Sequence, residues 1–108
     1  MKKVLLLVAT ECNKKAVKKL AKLLLKKKLA ACVSLKDINS IYEWKGKIEE
    51  DNEVEIIIKS KPELKNALVV FLQKQISYDV PQIIYKKFHS EKKYSNWVNK
   101  SCSNQVRL

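Results

Sequence analysis

Glycine is almost missing from this chain: Gly46 is the single one among 108 residues. Glycine-rich phosphate loops and dinucleotide fingerprints are thereby excluded, because both need several glycines to let the backbone approach a phosphate. Pro62 and Pro81 are the two prolines, and no linker, low-complexity tract or internal repeat interrupts the sequence. Histidine occurs once, as His89, which reads as a surface residue and offers one imidazole where a transition-metal site usually needs several ligands. Cys12, Cys32 and Cys102 make an odd set with no Cys-x-x-Cys pair, which argues against a disulfide framework, a zinc knuckle or a thioredoxin-like site. Reduced thiols are expected, with Cys32 a small buried hydrophobe in the apolar run Leu29–Val33.

Arginine is equally scarce, Arg107 being the sole one among 23 basic residues. Against 11 acidic residues the net charge is +12, yet it lacks the planar fork that reads phosphates and guanine edges. A lysine-only excess therefore reads as a solvated surface. No apolar run approaches the roughly 20 residues of a membrane span. The six-residue run Val4–Ala9 also falls short of the about 7 to 15 in a secretory signal core. A soluble, cytoplasmic protein of one domain, residues 1–108, is expected. No Ser-His-Asp set, Cys-His set or carboxylate pair flanking a pocket can be composed, so the expected role is binding, not catalysis.

What is present is apolar periodicity. Val4–Thr10 is too short for a buried helix and reads as a central strand. Asn13 can cap a helix over Lys14–Leu29, with Val17, Leu20, Ala21 and Leu24 on one stripe and lysines opposite. Cys32–Ile48 is a long extended stretch in which Ile38, Ser40, Tyr42 and Trp44 share a face, with a bulge or bend expected at Gly46. Asp51-Asn52 supplies turn chemistry before a returning strand, Val54–Lys59, which makes Glu49, Glu50 and Asp51 a hairpin-tip cluster. Ser60-Lys61-Pro62-Glu63 reads as a capping box, opening a helix that buries Leu64, Ala67, Leu68, Phe71 and Leu72 and ends near Ser77. Gln82–Phe88 is a fourth strand, and Ser90 caps a last helix carrying Tyr94, Trp97 and Val98.

The order strand, helix, strand, strand, helix, strand predicts an α+β, ferredoxin-like βαββαβ sandwich with an extended β2-β3 hairpin and a C-terminal helix. Strand residues such as Leu5, Leu6, Leu7 and Val8 are apolar on both faces, so the sheet's second face needs cover that the chain is too short to supply. Other copies of the chain are the expected cover, giving an oligomer.

Four segments together resemble the CutA family, named for divalent cation tolerance. They are Leu29–Val33, Ser40–Ile48, Glu53–Lys59 and Tyr78–Ile84, and the likeness runs from Val4 to about Val98. The resemblance implies a homotrimer packed around a threefold axis and a part in the response to copper and other divalent cations. PII-type trimers share this architecture and bind small anions between subunits, which is an analogy of fold alone. The sequence departs from the family pattern at Ile76 and Ser77, where members carry His-Pro, at Gln82, where they carry Glu, and at Ala9, where some carry cysteine. Imidazole and thiolate are what copper or zinc prefers, so no strong metal site or fixed cofactor is expected, and weak copper or other divalent-cation binding is the most these residues support.

Trp44, Glu53, Lys59, Tyr78 and Asp79 match the family's polar and aromatic positions and are the candidate ligand-binding residues. In a trimer they would line a cleft between subunits that takes a small anion, through Lys59, or a divalent cation. The plainer reading is interface packing, with Glu53 and Lys59 an ordinary ion pair. The competing functional class is a nucleic-acid-binding ferredoxin-like domain using the lysine-rich surface. It is disfavoured because strand one has no aromatic on which a base could stack.

Overall fold

The computed structural model describes residues 2–102. Its elements are β1 (Lys3–Glu11), α1 (Lys14–Lys26), β2 (Cys32–Trp44), β3 (Lys47–Ser60), a 3-10 turn (Pro62–Leu64), α2 (Lys65–Gln75), β4 (Ile83–His89) and α3 (Lys92–Ser101). The sheet order is β2-β3-β1-β4, with every neighbouring pair antiparallel. This is the βαββαβ architecture expected from the sequence, with α3 appended.

Alternation along each strand decides where the core lies. Leu5, Leu7 and Ala9 of β1 and Val54, Ile56 and Ile58 of β3 are buried on one sheet face. They meet Val17, Leu20 and Leu24 of α1 and Leu68, Phe71 and Leu72 of α2 in one cluster. Each of these large side chains contributes about 1.5–3 kcal/mol of transfer free energy when fully buried. The opposite face carries Leu6, Val8 and Ile57, half-buried, and Ile84, 58% exposed. Its Val4 end is covered by Val98 and Cys102 together with Ala31 and Leu64, and Thr10 at the other end of β1 is buried as well.

The N-cap of α1 is Asn13, whose Oδ1 accepts from the Ala16 amide at 2.7 Å. Its C-terminus is a Schellman turn: Leu29 N donates to Leu24 O at 3.0 Å and Lys28 N to Leu25 O at 3.1 Å. The left-handed position of that turn, ordinarily glycine, is Lys28 at φ 61°. Closing the helix at Lys26 rather than Leu29 frees Leu29 to enter the core.

Several local expectations are corrected. The hairpin turns at Lys45-Gly46, not at Asp51-Asn52. Both turn residues have positive φ, 51° and 79°, which is what a two-residue type I′ loop needs. Asp51 and Asn52 lie inside β3, opposite Ser40 and Asn39, so Glu49, Glu50 and Asp51 are strand residues, not a tip. Ser60 is no cap: it is fully buried at the end of β3, its hydroxyl donating to Leu29 O at 2.7 Å. α3 is capped by Glu91, whose carboxylate accepts from the amides of Lys93 and Tyr94, while Ser90 Oγ donates to Glu91 O. The buried face of α3 is Ser95 and Val98, leaving Tyr94 and Trp97 outside as a tilted ring pair. Cys32 is only half-buried, since it opens the edge strand β2.

Candidate functional site

β1 supports β3 only as far as the pair Glu11 and Val54. Beyond it, Ile38–Trp44 and Lys47–Glu53 continue as a two-stranded ribbon with no third strand. An isolated ribbon of this kind is marginal in water. Its two faces differ: Ile41 and Ile48 are 67% and 72% exposed on one, and Tyr42 and Trp44 stand on the other.

At the base of the ribbon the loop after α2 is tied down by two carboxylates. Glu11, buried at the end of β1, accepts from Ser77 Oγ at 2.5 Å, Ser77 N at 2.9 Å and Cys12 N at 2.9 Å. Burial pushes its pKa up, but the hydrogen bonds from Ser77 and Cys12 outweigh that and hold it below the usual range. Glu53 accepts the Tyr78 hydroxyl at 2.8 Å. Burial, then that bond, pushes the Tyr78 phenol above its ordinary value. On the ribbon the Tyr42 hydroxyl donates to Asp51, which raises the phenol to about 12.

These contacts shape an open cleft of about 580 Å³ lined by Thr10, Ser40, Tyr42, Trp44, Glu53 and residues 77–80 and 82. Four of the five sequence candidates, Trp44, Glu53, Tyr78 and Asp79, meet there. Lys59 does not: it faces the same side of β3 but lies six residues from Glu53, roughly 20 Å at about 3.3 Å per residue. Glu53 is thus held by Tyr78 and not by Lys59. No lysine or arginine lines the cleft, and Asp51 and Glu49 continue the acidic row of Glu53 along the same strand face. Among the described residues no group of three or more His, Cys, Asp or Glu is poised to hold a metal, and His89 is exposed at the end of β4. The role of Glu11 was not anticipated. Its one sequence signal is an acid directly following the apolar strand Val4–Thr10.

A ferredoxin-like domain with an overlong hairpin and an aromatic, acidic cleft at its base is the class that fold and site define. The model of the CutA1 divalent ion tolerance protein family matches residues 5–101, and the chain belongs to that family. The mouse protein CutA is 48% identical over 73 residues, covering 67% of this chain and 41% of its own length. This chain therefore spans less than half of that relative. The divalent-cation tolerance protein CutA of Pectobacterium atrosepticum is 34% identical over 97 residues, 88% of each chain. The crystal structure of CutA1 from Oryza sativa superposes with a TM-score of 0.90 at 34% identity, covering 96% of this chain and 97% of that one.

Proposed function

We propose that the chain works as a homotrimer in divalent-cation tolerance, binding a cation in a cleft between subunits and catalysing no reaction. The observation that carries this reading is that apolar side chains stand bare on both sides of the β-layer: Ile84, 58% exposed, on the face away from α1 and α2, and Ile41 and Ile48, 67% and 72% exposed, on the other face of the unsupported ribbon. Exposed apolar area of this extent marks an interaction surface, and copies of the same chain are the simplest partner. The divalent-cation tolerance name of the Pectobacterium relative supports the physiological setting. The donors in the cleft are carboxylate and hydroxyl oxygens, which suit hard cations, so copper binds weakly. Three free thiols set apart from one another fit a reducing, cytoplasmic setting, although a relative from Archaeoglobus fulgidus is described as periplasmic. The PII-type trimer remains the architectural analogy.

Sedimentation equilibrium at micromolar concentration tests the assembly. The expected mass is three times the 12.5 kDa of one chain. A single-chain mass that persists across the concentration range refutes it. Titration calorimetry with copper, zinc and magnesium tests the cation, and loss of heat in Glu53→Gln is the expected result.

A further inference from the structure

The cleft brings two kinds of group together. Three rings, Tyr42, Trp44 and Tyr78, wall it, and Glu53 and Asp79 give it negative charge. The row Glu49, Asp51 and Glu53 projects from alternate positions of β3 on the same face as Tyr42 and Trp44, since those positions pair with Tyr42, Ser40 and Ile38; Lys47, opposite Trp44, ends the row beside Glu49 and leaves Asp51 and Glu53 as its acidic stretch nearest the cleft. No ion pair among the described residues reaches this row; the one present joins Lys14 to Asp37. In a chain of net charge +12 the long-range field repels cations, so a cation held here must be held by local contacts. The indole of Trp44 already draws one ammonium, Lys45 Nζ lying 5.9 Å from its ring centroid.

Spacing narrows the ligand further. Carboxylates on alternate strand residues recur about every 7 Å. Two ammonium groups joined by four methylenes lie about 6 Å apart, from bond lengths of about 1.5 Å. We propose that the cleft recognises a linear aliphatic polyamine, with its ammonium groups along Glu53 and the neighbouring Asp51 and its methylenes across Tyr42 and Trp44. The inference rests on the cleft reading given above and names its ligand class. A hard, hydrated metal ion can use the charge of this site but gains nothing from the rings; an alkyl diamine uses both.

The test compares two divalent cations of equal charge, 1,4-diaminobutane and magnesium, by titration calorimetry on the full chain, with the mass measured in the same samples. Diaminobutane is expected to bind about tenfold or more tightly than magnesium, because methylenes on apolar rings add what the metal ion cannot gain. Trp44→Leu, at a half-exposed position, should weaken diaminobutane several-fold and leave magnesium unchanged, whereas Glu53→Gln should weaken both. Equal affinities, or a Trp44→Leu effect shared by both cations, overturn the inference while leaving a trimeric cation-binding protein intact. A single-chain mass with no binding of either cation overturns the inference and the assembly together.

Discussion

Replacing Glu11 removes the acceptor for three donors: the amides of Cys12 and Ser77 and the Ser77 hydroxyl. Hydrogen bonds to a charged group contribute about 1.5–3 kcal/mol each, and a donor left buried costs about 1–3 kcal/mol. Cys12 and Ser77 are themselves exposed, so water can reach part of what Glu11→Ala abandons. The net destabilisation is therefore expected near 2–3 kcal/mol, below the sum of three separate bonds. Glu11→Gln keeps one carbonyl acceptor but turns an NH2 towards the same donors, and should cost about 1–2 kcal/mol. The pH dependence adds a second handle. Because the folded-state pKa lies below the ordinary 4.5, the Glu11 contribution is complete above that value and is lost as pH falls through the folded-state pKa. Urea unfolding followed by circular dichroism, at fixed chain concentration and from pH 7 to pH 3, reads both effects. The gap between wild type and Glu11→Gln should narrow in acid. An alanine cost under about 0.5 kcal/mol, or a glutamine gap that stays constant down to pH 3, refutes the reasoning.

Lys28→Gly should raise stability by about 0.5 kcal/mol, since relief of a left-handed lysine, about 1–2 kcal/mol, exceeds the extra unfolded-state entropy of glycine, checked by thermal melting. Lys45→Asn should act in the same direction at the hairpin turn, and Gly46→Ala in the opposite one, because φ 79° is strained for alanine even with nothing within 4 Å of its Cβ. Leu24→Ala opens a cavity in a fully buried site between α1 and the sheet and should cost about 2–5 kcal/mol in urea unfolding. Ile48→Asp places a charge on the bare ribbon face. It should leave the far-ultraviolet spectrum unchanged while lowering the mass found by sedimentation.

Element order was readable because each segment carries one dominant period. Val17, Leu20 and Leu24 repeat every three to four residues, and the β3 residues Val54, Ile56 and Ile58 repeat every two. What misled was local chemistry with more than one use. Asp51-Asn52 has turn composition, but inside the ribbon these side chains instead accept hydrogen bonds across it, from Tyr42 and Asn39. Lys45 belongs to no standard turn vocabulary, yet Gly46 beside it makes the tight loop. Ser60 and Glu63 have capping-box spacing, and the strand before them runs on until Ser60 is sealed under Leu29 and Cys102. In the cleft, Trp44, Glu53, Tyr78 and Asp79 could be chosen from their types and their family positions. Lys59 was legible as distant too, since a strand over Val54–Lys59 already sets it six extended residues from Glu53; its type and family position outweighed that spacing.

The ribbon from Ile38 to Glu53 adds no side chain to its own subunit's main core cluster, although Glu53 anchors its base to Tyr78. Sequence drift on its Ile41 and Ile48 face, away from the cleft residues Tyr42, Trp44 and Glu53, escapes the constraint that guards the core and bears on which chains recognise each other. A cell holding two diverged copies of such a gene could keep their products from mixing through a handful of changes at Ile41, Ile48 and their neighbours, with each subunit otherwise untouched.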